Sequence, residues 1–438
     1  MVCGTAKKKI TPPENLLPLL HGLGNITFSA VLDDIYVRVL VLDDERKKIM
    51  FVVFDLDKVP WPEKYLPMLA AQTGIPEECI SLLSTHTHTA PIAGWRPTEG
   101  PNFILKKPEI VQKAISEYEE FLERVVREAV NEAIELLQPV RIGWGQGESY
   151  VNINRVEDYI VRNEDGSKEV YAGLGHNYGV PVDRNVYVLK VEDLAGRTVA
   201  CMINYAVHNC VMIGNRCADN GGTLLSSDLG GNVSRMIEEN YPGCVALWTS
   251  GAAGDVNPIM MNQIFYPDPQ TGAQAVYQVP VGDTTPLIML KVLSARHYAD
   301  VARLLERIAC ENDMAALDGA VKWLILPSSG KQPYQIRVHL SRIGEFGLWG
   351  VSGELYSSIG EAVTRSLPNG RHLIMSHDAS LIANSGYIFD DEVFVRDRDK
   401  RLPGWNHNDM MPGYAKEALL KITAVMWEEA TQEEEKTK

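Results

Sequence analysis

The sequence predicts an α/β fold in which mixed β-sheets are flanked by helices. Two apolar, β-branched segments, residues 35–42 and 49–56, are separated by a polar turn at 43–46, which indicates a β-hairpin. Residues 108–138 have apolar side chains at helical spacing instead, with Pro108 in the first turn, and indicate a long amphipathic helix. Because strand-like and helix-like segments alternate along the rest of the chain while hairpins also occur, we expect strands of both directions, in one mixed sheet or two.

The remaining elements follow from the same patterns. Further strands are predicted at residues 80–84, 185–191, 199–207, 245–250, 336–342, 346–351 and 373–376. Further helices are predicted at residues 63–73, 228–240, 353–365 and 412–427. Residues 260–285 are rich in turn-forming residues and are expected to form a surface loop, either a lid over a site or an ordinary mobile loop. We expect a single domain over residues 1–438, with a charged tail at 428–438 that frays.

Composition narrows the class of protein. The formal net charge of −15 disfavours nucleic acids and anionic membranes as partners. No apolar run is long enough to span a bilayer, so no integral membrane segment is expected. The seven cysteines form no Cys-x-x-Cys pair, and no signal-peptide-like stretch follows the N-terminus, which together favour a cytoplasmic location. The sequence leaves the oligomeric state unknown.

Several polar residues lie directly after predicted strands, where active sites of open α/β sheets gather. His86, His208, Asp255 and Glu354 all occupy such positions. His86 and His88 are two residues apart, so in an extended segment both imidazoles point the same way and face one cavity. Neutral imidazole is the commonest protein ligand for zinc, but two hydrogen-bonded structural histidines explain this motif equally well.

Other candidate residues are ambiguous when each is considered alone. His208 after a strand is more often structural than a ligand, and Glu354 beside Gly353 has the position of a helix cap. Tyr387 has the pattern of a half-buried aromatic residue. Residues 251–258 combine two glycines with an Asp-x-Asn-Pro sequence, which suits either a tight turn or a backbone that closely approaches a ligand.

Taken in order, eight short motifs resemble the catalytic domain of the neutral or alkaline, non-lysosomal ceramidases. They lie at residues 4–13, 34–42, 84–91, 152–155, 204–208, 250–258, 352–355 and 385–388. The resemblance implies a ceramidase-like catalytic domain with one zinc ion per chain. The zinc ligands that it implies are His86, His208, Glu354 and Tyr387. It also implies a proton-handling role for His88 and an active-site role for Arg155.

The sequence departs from the family pattern in four ways. Asn257 occupies the position of the family's proposed catalytic serine, which excludes a nucleophilic serine there. We also expect no C-terminal immunoglobulin-like domain, which full-length members carry, and no secretion signal. Many relatives carry an aromatic residue where this chain has Asn384, and a tyrosine ligand at that earlier position would displace Tyr387 from the proposed set.

These residues lead to a hypothesis for the reaction, which is hydrolysis of an N-acyl amide by zinc-activated water. Arg155 or Asn257 would hold the developing oxyanion, and His88 would transfer the proton from water to the leaving amine. Asp255 or Asp228 would orient a ligand histidine. The predicted substrate is a small N-acyl or ester compound and need not be ceramide. A zinc esterase or lactonase using the same site, and a ligand-binding member that has lost catalysis, remain alternatives.

Overall fold

The computed structural model describes residues 1–22, 26–94, 108–330, 332–379, 386–391 and 410–437. The strands in chain order are β1 (Val2–Lys9), β2 (Phe28–Val31), β3 (Tyr36–Asp43), β4 (Lys48–Phe54), β5 (Ile80–Ser84), β6 (Gln138–Glu148), β7 (Asn152–Arg162), β8 (Lys168–Asn177), β9 (Asn185–Asp193), β10 (Thr198–Tyr205), β11 (Thr223–Leu225), β12 (Val245–Ser250), β13 (Val256–Pro258), β14 (Gln263–Pro267), β15 (Gln274–Gln278), β16 (Leu317–Leu326), β17 (Tyr334–Ile343), β18 (Phe346–Val351), β19 (Glu354–Leu355), β20 (His372–Ser376) and β21 (Tyr387–Ile388). The main helices are α1 (Pro62–Thr73), α2 (Glu109–Glu135), α3 (Asp228–Asn240), α4 (Thr285–Leu305), α5 (Ser357–Ser366) and α6 (Ala415–Thr437).

The large sheet has eight strands in the order β12-β10-β9-β6-β1-β3-β4-β5. Most of its neighbouring strands are antiparallel, but β4 runs parallel to β5 and β10 runs parallel to β12. β1 pairs with β6 over only two residue positions, and β12 contacts β3, β4 and β5 from the opposite end of the sheet. The sheet is therefore folded at the β1–β6 junction, so that its two halves face each other across a common core.

The small sheet has four strands in the order β16-β17-β18-β20, and its β18 and β20 are parallel. It packs against the large sheet, since β20 contacts β10 and β12 while β16 contacts β4. Polar side chains cross the junction: Asn204 Nδ2 donates a hydrogen bond of 2.9 Å to the Ile374 carbonyl oxygen. As a result, the three parallel pairs β4–β5, β10–β12 and β18–β20 lie side by side.

Helix α2 covers the β1 side of the large sheet. Its buried residues recur at helical spacing, among them Tyr118, Leu122 and Val126, and the helix contacts both β1 and β3. Gly4 makes this close approach possible, because a Cβ atom there would lie 1.8 Å from the Ala133 carbonyl oxygen. Among the described helices, none combines the length and apolar character needed to cross a membrane.

A buried ion-pair network joins β3, the end of β4 and helix α3. Arg38 Nη1 donates a hydrogen bond of 2.7 Å to Asp55 Oδ2, and Arg38 Nε donates one of 2.8 Å to Glu238 Oε1. Burial by itself lowers the pKa of the Arg38 guanidinium, but the two carboxylates outweigh this effect and the pKa is raised. The network therefore stabilises charges in a region where an isolated ion would be costly.

The structure confirms the predicted fold class and most predicted elements. The hairpin at 35–56 is β3–β4, the long helix is α2, and the strands predicted at 80–84, 245–250 and 346–351 have the observed bounds of β5, β12 and β18. These segments are buried on both faces or have a strict helical period, so local pattern and tertiary environment agree.

Other predictions of local structure were wrong. Residues 260–285 contain the hairpin β14–β15 rather than an irregular loop, and α4 begins at Thr285. The helix predicted from residue 353 begins only at Ser357, because Glu354 and Leu355 pair with β21. The last helix extends to Thr437, while the fraying of the tail at 428–438 stays a prediction. Helix α4 was not predicted, and neither were the strands β1, β2, β6, β7, β8, β11, β13, β16, β19 and β21.

We expect the substitution Arg38→Met to destabilise the protein by about 3–5 kcal/mol, because it leaves the Asp55 carboxylate buried without its cation. Chemical denaturation followed by circular dichroism measures this change. Arg124→Met is the matched control, since Arg124 forms an exposed pair with Glu128 at 3.1 Å and should lose at most about 1 kcal/mol. Equal shifts of the two unfolding midpoints would contradict a stabilising role for the buried network.

Candidate metal centre

The predicted cluster of polar residues forms where the three parallel strand pairs end. The loop after β4 contributes Asp57, and the loop after β5 contributes His86 and His88. His208 follows β10, and Glu354 lies in the short strand β19 after β18. All five residues are buried. Of the four residues predicted past strand ends, His86, His208 and Glu354 therefore lie together, with His88 and Asp57 beside them.

Three imidazole rings form the centre of the cluster. Ligand-capable ring nitrogens of His86, His88 and His208 all lie within 4.8 Å of one another. The Nε2 atoms of His86 and His88 are 3.1 Å apart. His86 has a φ of 58°, so the segment is not extended there as the sequence argument assumed. The two rings face each other because the backbone turns at His86. The sequence argument predicted this meeting of the rings from an extended segment instead.

The Glu354 carboxylate completes the arrangement. Its Oε2 atom lies 3.0 Å from His208 Nε2 and 3.5 Å from His86 Nε2. The pairing of β19 with β21 places Tyr387 opposite Glu354 in the strand register. The Tyr387 ring stacks near His208 with a centroid distance of 6.4 Å. Tyr387 is therefore beside the cluster, while Asn384 lies outside the described residues.

Main-chain carbonyl groups fix the orientation of two rings. His86 Nδ1 donates a hydrogen bond of 2.8 Å to the Asp57 carbonyl oxygen. His208 Nδ1 lies 2.7 Å from the Ala253 carbonyl oxygen and 3.1 Å from that of Val256. With the protons held on Nδ1, the lone pairs of both Nε2 atoms point into the cluster, as metal binding requires.

Asp255 does not orient a histidine, so this prediction was wrong. Its Oδ1 accepts a hydrogen bond of 2.7 Å from the Ser357 main-chain N–H, and its Oδ2 accepts bonds from Ser357 Oγ at 2.7 Å and Asn154 Nδ2 at 2.9 Å. Asp255 therefore caps the start of α5 and ties this helix to β7. Because Ser357 follows Glu354 by three residues, Asp255 helps to fix the main chain that carries Glu354.

Asp228 does not orient a histidine either. Its carboxylate accepts hydrogen bonds from three main-chain N–H groups, those of Val211, Met212 and Leu229. Burial raises the pKa of Asp228 and outweighs these hydrogen bonds, which lower it, so that the pKa is about 6. Asp228 thus links the loop after His208 to the start of α3 and supports the site through the backbone.

Arg155 and Asn257 lie next to each other at the border of the cluster. Arg155 Nη2 donates a hydrogen bond of 2.7 Å to the Gly254 carbonyl oxygen, and Nη1 donates one of 3.2 Å to Asn257 Oδ1. The guanidinium carbon lies 5.2 Å from the centroid of the Tyr387 ring. Since Arg155 occupies the amide oxygen, the Asn257 NH₂ group is the side that can donate to another molecule. Its contact in the structure is the weak acceptor Met261 Sδ at 3.4 Å.

The pKa shifts favour an ionised Glu354 carboxylate beside neutral His88 and His208. Burial lowers the pKa of His86, but Glu354 and Asp57 outweigh burial and the pKa of His86 is raised. Burial, and to a smaller extent Arg155, lower the pKa of His208 to about 4. Burial also lowers the pKa of His88 well below its usual range, with further lowering from the two neighbouring histidines. Burial tends to raise the pKa of Glu354, but His86 and His208 outweigh it and the pKa falls well below the usual range. His88 and His208 therefore present lone pairs rather than protons.

The donor atoms fit a zinc ion. Two donors about 2.1 Å from a tetrahedral zinc lie about 3.4 Å apart. Glu354 Oε2 lies 3.0 Å from His208 Nε2 and 3.5 Å from His86 Nε2. The Nε2 atoms of His86 and His88 are 3.1 Å apart. Imidazole and carboxylate donors suit zinc and also accept other divalent first-row metals. Burying these imidazoles and the carboxylate without a bound cation would cost free energy, which supports the interpretation of the cluster as a metal site.

Two further residues contact His86 and were not among the sequence-based candidates. Asp57 Oδ1 lies 3.3 Å from His86 Nδ1. The ring of His377 stacks on that of His86 with a centroid distance of 3.9 Å and an interplanar angle of 18°. Both residues follow predicted strands, so the rule that selected His86 and Glu354 would have found them as well.

Comparison with solved structures identifies the architecture. The structure aligns with the crystal structure of neutral ceramidase from Pseudomonas aeruginosa at a TM-score of 0.65 and 16% sequence identity, over 96% of this chain and 73% of the other. A ceramidase structure complexed with C2 aligns at a TM-score of 0.67 and 15% identity, over 96% of this chain and 74% of the other. The chain has the neutral ceramidase fold. This finding confirms the architecture that the eight motifs implied. No protein-family model and no curated protein sequence matches the chain.

Within the ceramidase fold, we expect Asp255→Ala to lower the free energy of unfolding by about 2–4 kcal/mol, since a helix cap and buried hydrogen bonds are lost together. Thermal and chemical unfolding measure the loss. Asp283→Ala is the matched control, because Asp283 accepts hydrogen bonds from the N–H and Oγ of Thr285 in the same way but is exposed. The control should lose about 0.5–1 kcal/mol. An unchanged stability of Asp255→Ala would contradict the capping role.

Proposed function

We propose that this protein is a zinc-dependent hydrolase that cleaves an N-acyl amide bond. One observation carries the proposal: ring nitrogens of three histidines lie within 4.8 Å of one another, and the Glu354 carboxylate lies 3.0 and 3.5 Å from two of them. Arg155 and Asn257, which can donate hydrogen bonds, lie at the border of this cluster. The similarity to ceramidase structures supports the reaction class, since the name of those enzymes denotes cleavage of the amide of ceramide. The proposed chemistry needs no nucleophilic side chain.

We assign the metal ligands as His86, His208, Glu354 and Tyr387, with one zinc ion per chain. When bound, zinc supplies Lewis acidity that lowers the pKa of water and polarises a carbonyl group. The distances from Glu354 Oε2 to the two histidine nitrogens support three of these ligands. The register of β19 and β21 supports Tyr387 as the fourth. His88 has a similar position through its Nε2 atom and is the competing candidate for a ligand.

His88 moves the proton in this proposal. Its Nε2 atom faces the centre of the cluster, while its Nδ1 atom is buried and has no hydrogen-bond partner among the described residues. Burial keeps the ring neutral, so Nε2 can accept a proton from the attacking water and deliver it to the leaving amine. An amine is a poor leaving group unless it is protonated, so this transfer is a necessary step in amide cleavage.

Arg155 and Asn257 stabilise the oxyanion that forms when water attacks the amide carbonyl. The hydrogen bond from Arg155 to Asn257 Oδ1 fixes the amide plane, and this leaves Nδ2 as the donor toward the substrate. Donors that are already oriented require no reorganisation during the reaction, which makes them effective for transition-state stabilisation. Asparagine at this position therefore suits a mechanism in which water is the nucleophile.

The substrate that we propose is a small N-acyl compound. The residues around the buried cluster can donate hydrogen bonds to an acyl group. The chain as a whole has a net charge of −15. That charge disfavours anionic lipid surfaces as the source of substrate. Ceramide itself, which the names of the similar structures denote, remains in the set of compounds to be tested.

We expect purified wild-type protein to contain about one zinc per chain and His86→Ala to lose it, because a ligand is removed. Elemental analysis measures the metal content. His88→Ala should keep its zinc, since we assign His88 to proton transfer. His372→Ala is the control and should also keep zinc, because His372 begins β20 at the end opposite His377 and contacts the Pro368 carbonyl oxygen and Trp427.

Two outcomes would change the assignment. If His88→Ala loses zinc as fully as His86→Ala, His88 is a ligand and its role in proton transfer is wrong. If the wild-type protein contains no zinc and takes none up from solution, the proposal of a metal-dependent hydrolase is wrong.

We expect the wild-type protein to hydrolyse members of a panel of short- and long-chain N-acyl amines, and Asn257→Ala to lower kcat by about 10²–10³-fold with little change in KM. Release of the free amine measures turnover. Arg162→Ala is the control, because Arg162 lies on β7 like Arg155 but is exposed. Turnover of esters or lactones without amides would favour the esterase alternative. Binding without turnover of any compound would favour a ligand-binding protein.

A further inference from the structure

His86 is held by contacts that the proposed reaction does not use. Its Nε2 atom points toward His88 and Glu354, but its opposite edge and one face contact Asp57 and His377. Neither of these two residues is assigned a role as ligand, proton carrier or oxyanion donor. Both are buried, so they occupy space that apolar side chains could fill at lower cost.

Asp57 contacts the Nδ1 edge of His86 with two groups. Its carbonyl oxygen accepts a hydrogen bond of 2.8 Å from Nδ1, and its Oδ1 atom lies 3.3 Å from the same nitrogen. Oδ1 is also 3.9 Å from His88 Nε2. Neither carboxylate oxygen has a hydrogen-bond partner among the described residues. The charge of this buried carboxylate is therefore directed at the histidine cluster.

His377 contacts one face of the His86 ring. The near-parallel stacking at 3.9 Å prevents rotation of the His86 ring toward that side. The main-chain N–H of His377 donates to the Gly353 carbonyl oxygen at 3.2 Å, next to Glu354. The following residue, Asp378, is buried and accepts hydrogen bonds from the Leu82 N–H, Arg337 and His339. The position of His377 is thus fixed by the junction of the two sheets.

The backbone at both stacked residues has an unusual conformation. His86 has a φ of 58° and His377 a φ of 64°, in the left-handed region that side-chain-bearing residues rarely adopt. Such a conformation persists only where the surrounding structure imposes it, and it concentrates at functional sites. The rings of these two strained residues stack on each other. This indicates that the fold imposes the strained backbone in order to hold the two rings in this arrangement.

We propose that Asp57 and His377 are positioning residues that hold the His86 ring from its edge and its face and so set the geometry of the metal site. This inference rests on the proposed metal-dependent function. A carboxylate or carbonyl partner on the remote nitrogen of a ligand histidine fixes its tautomer and increases its basicity. Stacking on the ring face removes the remaining freedom of rotation.

The test is titration of chelator-stripped protein with Co²⁺, whose visible absorption reports the geometry of its ligands. Asp57→Asn keeps the volume of the side chain but removes its charge, and His377→Ala removes the stacked ring. Each is expected to weaken Co²⁺ binding by about 10–100-fold and to change the spectrum. His377→Phe restores a flat ring and should restore both properties. Asp165→Asn, in an exposed turn, is the control.

The outcomes separate the two proposals. Wild-type protein that binds no Co²⁺ would contradict the proposed function. Wild-type binding together with unchanged affinity and spectrum in Asp57→Asn and His377→Ala would overturn the positioning role alone. Failure of His377→Phe to recover binding, with its circular dichroism and unfolding temperature like those of wild type, would overturn the role of stacking.

Discussion

The burial of the Glu354 carboxylate between His86 and His208 is the interaction on which the rest of the site depends. A carboxylate removed from water is strongly destabilised unless nearby donors or cations compensate it. Here two imidazole nitrogens lie 3.0 and 3.5 Å from the same oxygen and present lone pairs, so the compensating cation in our proposal is the metal ion that these three groups would share. Their own orientation depends on hydrogen bonds from Nδ1 to main-chain carbonyl oxygens. Two of the three rings, those of His86 and His208, are therefore coupled to the backbone, which suits a metal site that must retain its geometry.

The scaffold brings these groups together through strand pairing rather than through sequence proximity. Three parallel pairs, β4–β5, β10–β12 and β18–β20, end in the same region although they belong to two sheets. Buried acidic residues then secure the loops beyond the strands. Asp255 caps α5 and Asp228 binds the loop after His208, so both support the site through main-chain N–H groups. In this fold the carboxylates near the site divide into those that face the histidines and those that hold the backbone.

Several features of the site followed from the sequence because they depend on local pattern. Buried strands such as β5 and β12 and the amphipathic helix α2 were predicted from hydrophobicity, and polar residues just beyond strands marked His86, His208 and Glu354. The roles of Asp255 and Asp228 could not be predicted in this way. A carboxylate beside a histidine in sequence can bond to a ring or to a main-chain N–H group, and only the path of α3 and α5 decides which. The hairpin β14–β15 was missed because its residues are half exposed and lack a clear alternation.

The sequence by itself determined the α/β class, the candidate residues of the cluster and, through the order of eight motifs, the similarity to neutral ceramidases. The tertiary structure alone decided which of these side chains meet. It placed Asp57 and His377 against His86, paired β19 with β21 so that Tyr387 lies beside Glu354, and turned the backbone at His86. The physical reason is that these contacts join residues from different elements, tens to hundreds of positions apart in the chain. Their geometry depends on how two sheets pack, and no local sequence pattern encodes it.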